Sequence, residues 1–141
     1  MPTWLALEDD DDMPEMLIWM FMSMGVSGKA FQRGEDLLIW ADNLEARHKD
    51  ETLPELALLD IRLTGLISGI EVASRLRKNP LMKDMAIVMM TAYRLRREEA
   101  EELLALSGAD KILYKPLPRK KELYTILKDV IRSRHLESEA R

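Results

Sequence analysis

Four short apolar runs in this chain each end on a side chain capable of chemistry. Trp4-Leu5-Ala6-Leu7 runs into Glu8-Asp9, Leu56-Ala57-Leu58-Leu59 into Asp60, Ile87-Val88-Met89-Met90 into Thr91, and Ile112-Leu113-Tyr114 into Lys115. Helix-compatible segments separate them, and a weaker run supplies a further strand, so the chain reads as five β–α units. That alternation limits the fold more than any other feature. Successive βα units make a parallel sheet with right-handed crossovers and helices on both faces. Five strands of this kind predict the order 2-1-3-4-5, which makes strands 1, 3, 4 and 5 consecutive neighbours. The ligand crevice of such a sheet lies outside the carboxyl ends of its strands. Three acids, a hydroxyl and an ammonium thus converge on one mouth, a set suited to a divalent cation beside a phosphoryl group.

The first strand is expected over Thr3–Glu8, followed by a helix from about Asp12 to Met24 that Gly25 and Gly28 break. Lys29–Gln32 reads as a short second strand. Gly34 to about Lys49 reads as helix, with Leu37, Leu38, Trp40, Ala41 and Leu44 at core-compatible spacing. The third strand, Glu55–Asp60, follows the loop Thr52-Leu53-Pro54 and is nearly all apolar, as a strand covered on both faces requires. A helix with Ile70, Ala73 and Leu76 on one side stops at Asn79-Pro80. Strand Ala86–Thr91, a charged helix over about Leu95–Leu106, strand Lys111–Tyr114 and a last helix over about Arg119–His135 complete the pattern.

Bulk properties exclude several rivals. Residues 1–141 are expected to form a single domain with its core over about 3–135, a length that buries a real interior. With 47% hydrophobic and 33% charged residues, the chain is globular in composition rather than disordered. A formal charge of -4 argues against direct nucleic-acid binding, which needs a basic face. The absence of cysteine excludes disulfides, thiolate chemistry and cysteine-ligated zinc. The longest apolar stretch, Met16 to Met22, is too short to span a membrane and is preceded by acids rather than a basic flank. No membrane association and a cytoplasmic location are therefore expected.

The run Glu8-Asp9-Asp10-Asp11-Asp12 divides by position. Asp12 followed by Glu15 fits a capping box, and acids at a helix N-terminus favour its dipole, so Asp11 and Asp12 read as capping or solvated groups. Glu8 and Asp9 leave a buried strand instead. Two acids meeting Asp60 repel unless a cation joins them, and Mg²⁺ accepts carboxylates and waters. Asp10 fits either group.

In order and at four strand ends, these features resemble the receiver domain of two-component response regulators, a flavodoxin-like fold. The resemblance runs from Trp4 to about Arg132 and rests on Leu-Glu-Asp-Asp, Leu-Leu-Asp-Ile-Arg-Leu, Gly-Ile-Glu-Val-Ala, Met-Thr-Ala and Tyr-Lys-Pro-Leu. It implies that Asp60 is the phosphoacceptor, and that Glu8, Asp9, Asp60 and the main-chain carbonyl of Arg62 bind Mg²⁺ (or Mn²⁺). Thr91 would hydrogen-bond a phosphoryl oxygen, Lys115 would pair first with the carboxylate and then with the phosphoryl group, and Lys115–Pro116 would be the family's cis peptide. The implied donor is a sensor histidine kinase or histidine phosphotransfer protein. The simplest reading is a stand-alone receiver that acts by docking, either as a phosphorelay intermediate or on a downstream protein target, with a homodimer as a further partner. Enzymatic activity is expected to be limited to weak self-phosphorylation and autodephosphorylation.

Four departures mark this chain. Thr64 stands where the family usually has proline, and Gly65-Leu66-Ile67-Ser68-Gly69 is one residue longer than usual. Ile112 occupies the usual switching-aromatic position, and the second helix with its loop is long. A non-phosphorylated flavodoxin-like binding module and a Mg²⁺-dependent hydrolase with Asp60 as nucleophile are the alternatives. The common aspartate-phosphatase pattern, however, needs an acid where Arg62 stands. A histidine phosphotransfer module would need His48 or His135 on a helical bundle, and both read as solvated.

Two further expectations concern this chain's own side chains. Arg62 and Tyr93 each lie two residues past a site residue and are long enough to cover an acyl phosphate, which predicts slow autodephosphorylation. The first helix is apolar nearly all round and holds five of the ten methionines, between Met13 and Met24. Leu17, Met20, Phe21 and Met24 form its inward stripe, leaving Ile18, Trp19 and Met22 facing outward or sideways as a docking or homodimerisation patch.

Overall fold

The apolar runs do become strands. The computed structural model describes residues 2–47, 53–63 and 67–140. It comprises β1 (Thr3–Leu7), α1 (Met13–Ser23), β2 (Ser27–Phe31), α2 (Gly34–Arg47), β3 (Leu56–Asp60), α3 (Gly69–Lys78), β4 (Ala86–Thr91), α4 (Arg97–Ser107), β5 (Lys111–Tyr114) and α5 (Lys120–Ala140). The strands pair in parallel in the order β2-β1-β3-β4-β5, as the sequence predicts.

Pleat alternation sorts the central strands into two interiors. Leu5, Leu7, Ala57, Leu59, Ile87 and Met89 face a layer built from α2, α3 and α4, including Leu37, Leu44, Val72, Leu76 and Leu103. Trp4, Ala6, Leu56, Leu58, Val88 and Met90 face Leu17 and Phe21 of α1 and Leu123 and Leu127 of α5. Every residue of β3 and β4 is buried. Removing one such leucine side chain would cost about 2–5 kcal/mol. Among the described residues no helix is long and apolar enough to cross a membrane.

Several local expectations need correction. Gly28 does not break a helix: it lies inside β2, which starts at Ser27 rather than Lys29 and ends at Phe31. A Cβ on Gly28 would sit 2.6 Å from Ile18 Cδ1 and 3.0 Å from Phe21 Cδ2, so glycine there lets α1 settle onto β2. Of the residues expected to face outward or sideways, Ile18 takes the sideways place, half-buried with its side chain over Gly28. The Asp12–Glu15 capping box does not form. Asp12 already has helical dihedrals (φ −96°, ψ −21°), which turn its side chain away from the helix N–H groups, and Pro14 removes one of those donors. Helix α4 starts at Arg97, two residues later than expected, with the Glu99 carboxylate accepting from the Arg96 N–H at 2.9 Å. Helix α5 continues past His135 to Ala140. The expected end of the second helix near Lys49, together with His48, Thr64, Gly65 and Leu66, lies outside the described residues.

Candidate functional site

The last rungs of the sheet set the site. Glu8 N donates to Phe31 O (3.1 Å), Ile61 N to Met90 O (2.9 Å) and Lys115 N to Thr91 O (2.8 Å). Glu8, Asp60, Thr91 and Lys115 are therefore held by main-chain bonds of neighbouring strands, not by flexible loops. Alternation then fixes direction. Glu8, Asp60 and Lys115 share parity with Ala6, Leu58 and Leu113, which face α1 and α5. Thr91 shares parity with Met89, which faces the α3–α4 side.

Lys115 starts two strands away from Asp60, with β4 between them. Its long stem crosses that gap and places Nζ 2.5 Å from Glu8 Oε2 and 2.7 Å from Asp60 Oδ2. Glu8 is 1% exposed and Asp60 7%. The second oxygens are engaged by main chain: Asp60 Oδ1 accepts from Arg62 N at 3.0 Å and Glu8 Oε1 from Asp10 N at 3.3 Å. One carboxylate oxygen each of Glu8, Asp9 and Asp60 lies within 4.8 Å of the others.

This crowding shifts both titrations. Burial, followed by the hydrogen bond with Asp60, pushes the Glu8 carboxyl up to about 7, although Lys115 pulls the other way. Burial also acts to lower the Lys115 ammonium, but the hydrogen bonds and charges of Asp60 and Glu8 outweigh it, and the net shift is upward. One internal ammonium thus serves two nearly buried acids, with Asp9 beside them. A donor set of three hard oxygens with this deficit of positive charge fits Mg²⁺ or Mn²⁺.

Around this centre, Thr91 is buried and its Oγ1 accepts from Tyr93 N at 3.1 Å. Arg62 and Tyr93 meet each other at the rim: the guanidinium donates to Tyr93 Oη at 3.3 Å and lies 4.1 Å from the ring centroid. The Lys115–Pro116 bond is cis, as the resemblance implies. Ile112 faces the α3–α4 side, packed with the core there. Tyr114, on the same face of β5, lies under the Arg94 guanidinium at 5.3 Å.

The sequence marks Gly69 as the end of a long loop and the start of Gly-Ile-Glu-Val-Ala, with no role of its own. A Cβ there would lie 1.9 Å from Asp60 O, and Gly69 N donates to Ile61 O at 3.0 Å. The start of α3 thus presses directly on the main chain of the Asp60 segment, and only glycine allows it. The one available signal was a glycine nine residues beyond a strand-end acid. His135 is exposed on α5, 3.0 Å from Glu139, and is part of no site with Asp60.

Comparisons with known proteins agree with this geometry. A family model described as the response regulator receiver domain matches residues 5–128. The phosphate regulon transcriptional regulatory protein PhoB of Rhizobium meliloti is 32% identical over 117 residues, covering 82% of this chain and 46% of that protein. The alkaline phosphatase synthesis transcriptional regulatory protein PhoP of Bacillus subtilis is 41% identical over 85 residues, 59% of this chain and 33% of that protein. The chain spans about a third to a half of the length of such relatives. In fold, it matches the chemotaxis protein CheY4 of Vibrio cholerae with a TM-score of 0.77 at 19% identity, covering 92% of this chain and 98% of that one.

Proposed function

From the premise that this chain belongs to the response regulator receiver domain family, we propose that Asp60 is its phosphoacceptor and that Lys115 and Thr91 support the transfer. The observation that carries this reading is the Lys115 ammonium shared by Asp60 and Glu8 at the carboxyl edge of the sheet. The donor is a phosphohistidine on a sensor histidine kinase or a histidine phosphotransfer protein. An Asp60 carboxylate oxygen forms a bond to phosphorus, the phosphorus–nitrogen bond breaks, and the departing imidazole takes up a proton. Glu8, Asp9, Asp60 and the Arg62 carbonyl would hold Mg²⁺ or Mn²⁺, which would neutralise charge on the acids and the phosphoryl oxygens.

The remaining work falls to the chain's own groups. Arg62 N holds one oxygen of Asp60 and so limits rotation of the nucleophile. Lys115 follows charge from the carboxylate to the transferred group, since its ammonium can donate to a phosphoryl oxygen from where it now meets Asp60. Thr91 retains a hydroxyl proton to give while its oxygen is held by Tyr93 N. Phosphorylation adds charge at this edge, and movement of Thr91 toward it biases the surface of α4, β5 and α5, through which the receiver docks on a target protein in the cytoplasm. Enzymatic activity of its own is confined to slow reaction with small phosphodonors and slow loss of the phosphoryl group.

Incubation with a small phosphodonor and Mg²⁺ tests the assignment. A mass increase of about 80 Da, one phosphoryl group, is expected for the parent and not for Asp60→Asn or in EDTA. Equal labelling in either control would falsify it.

A further inference from the structure

The loop between Asp60 and α3 carries two groups of the site: the Arg62 N–H, which donates to Asp60 Oδ1 at 3.0 Å, and the Arg62 carbonyl proposed as a metal ligand. It is also the segment that runs one residue longer than usual. A longer loop has more conformations to lose, so contacts from outside it matter more to its shape. The first turn of α2 provides them. Ile67 N donates to Glu35 Oε1 at 3.2 Å, while Glu35 Oε2 accepts from Arg33 Nε, also at 3.2 Å. Beside this pair, a Cβ on Gly34 would sit 3.0 Å from Ile67 Cγ1 and 2.6 Å from Val72 Cγ2. Glycine there lets α2, α3 and the loop close into contact. Two residues on, Gly69 N donates to Ile61 O at 3.0 Å. The returning limb of the loop is thus pinned to α2 at Ile67 and to the Asp60 segment at Gly69, and the outgoing limb to Asp60 through Arg62 N.

We propose that Glu35 is a positioning residue for phosphorylation: its carboxylate holds the lengthened loop through Ile67 N, and by that tie fixes the Arg62 main chain beside the acid cluster. Its role rests on the proposed site, with Asp60 as phosphoacceptor and the Arg62 carbonyl as a metal ligand. Glu35 is not one of the clustered acids Glu8, Asp9 and Asp60, so it acts through the loop and not as a ligand. A main-chain N–H bonded to a carboxylate is about twice as strong as a neutral hydrogen bond. The Glu35 side chain is 26% exposed, which keeps part of that tie out of competition with water. Fewer loop conformations then have to be lost when the metal and the donor arrive.

An acid in this turn also complements the dipole of α2, and Asp36 is a second acid there. The dipole needs only charge, whereas the tie needs an acceptor oxygen at the right reach. Four variants of the full chain separate the two. Glu35→Gln keeps the acceptor and its reach without the charge, Glu35→Asp keeps the charge one carbon short, and Glu35→Ala keeps neither. Asp36→Ala removes an equal charge from the same turn, from an exposed residue that makes no bond to Ile67.

Mg²⁺ affinity by titration calorimetry and the rate of small-donor phosphorylation by mass spectrometry are the first readouts. Losing a group that orients a metal ligand costs about 10–100-fold, and Glu35 acts one step further back, so Glu35→Ala and Glu35→Asp should lower both by about 3–10-fold. Glu35→Gln and Asp36→Ala should stay within about twofold of the parent. Amide hydrogen exchange without metal is the third readout. Ile67 and Arg62 should lose protection in Glu35→Ala and Glu35→Asp and keep it in Glu35→Gln, with the amides of β3 unchanged. Equal Mg²⁺ affinity in the parent and Glu35→Ala overturns the proposal. So does equal weakening by Glu35→Gln and Glu35→Ala, which is an effect of charge, and so does lost protection at Ile67 with none at Arg62, which confines the tie to its own end of the loop. A parent that takes no label on Asp60 removes the underlying site and this role with it, whereas a parent labelled on Asp60 and matched by Glu35→Ala removes this role alone. Should Glu35→Ala fail to fold, Glu35→Gln against Glu35→Asp decides the matter.

Discussion

Lys115→Met removes the ammonium that touches both Glu8 and Asp60 while keeping a stem of similar length. A hydrogen bond to a charged group contributes about 1.5–3 kcal/mol, so losing the Asp60 contact should cost about 2 kcal/mol. The Glu8 part depends on pH. Its folded pKa of about 7 lies above the ordinary value of 4.5. The folded protein therefore keeps a proton that the unfolded chain releases, and stability falls as pH rises from about 4.5 through about 7. Lys115 works to lower that pKa, so Glu8 in the variant holds its proton to still higher pH. At pH 6 Glu8 is largely protonated in both proteins, so its titration adds no difference. At pH 8 it is largely ionised only in the parent, and the variant loses up to about 1.4 kcal/mol more, the equivalent of one pH unit. Lys115 itself stays charged across this window, because its pKa is raised above 10.5. The expected loss is thus about 2 kcal/mol at pH 6 and about 3 kcal/mol at pH 8. Urea unfolding followed by far-UV circular dichroism in EDTA at pH 6, 7 and 8 measures it. Mg²⁺ at 100 times its Kd should stabilise the parent by about 2.7 kcal/mol and the variant at least as much. The same loss at pH 6 and pH 8, or none at either, refutes the electrostatic account.

Three other perturbations follow from the same geometry. Gly69→Ala places a methyl group 1.9 Å from Asp60 O, and overpacking against main chain should cost about 3 kcal/mol by urea unfolding, with slower phosphorylation; a change under about 1 kcal/mol would contradict the contact. Arg62→Ala with Tyr93→Ala removes the stacked pair that follows Asp60 and Thr91 in the chain, and an acyl phosphate shielded by that pair should be lost about tenfold faster, equivalent to about 1.4 kcal/mol of barrier. Mass spectrometry over time reads that rate, and decay no faster than the parent's excludes shielding. On the proposed ligand set, Mg²⁺ binding should release close to one proton at pH 6 and little at pH 8, with affinity falling as pH drops through about 7, because Glu8 would have to ionise to ligate. Calorimetry in buffers of different ionisation enthalpy reports the proton count, and no release at pH 6 would remove Glu8 from the ligand set.

The fold, and the strand ends that carry the candidate site residues, were legible because both depend on local regularities. Short apolar runs identified β1, β3, β4 and β5, their apolar continuity required cover on both faces, and the connection rules for alternating βα units pointed to one strand order. That order places Glu8, Asp60, Thr91 and Lys115 on one edge, each fixed by a main-chain bond of the last rung. The weakest strand, β2, was misplaced because its glycine is explained only by its neighbour: nothing local to Gly28 reveals Ile18 lying on it. The same holds for Gly69 against Asp60 O, and for Asp12, whose capping role depended on dihedrals rather than on residue type.

What the sequence by itself determined, then, is which groups reach the carboxyl edge of the sheet. Only the tertiary structure decided how they share charge. Lys115 meets Glu8 across a separation of 107 residues and Asp60 across 55. Whether its stem would span β4 to touch both acids depended on the twist and spacing of strands that local pattern does not encode. Burial of Glu8, and with it the rise of its pKa to about 7, is likewise a property of the assembled edge. Desolvation and Coulomb energies are sums over neighbours in space, whereas periodicity and residue type are properties of neighbours along the chain.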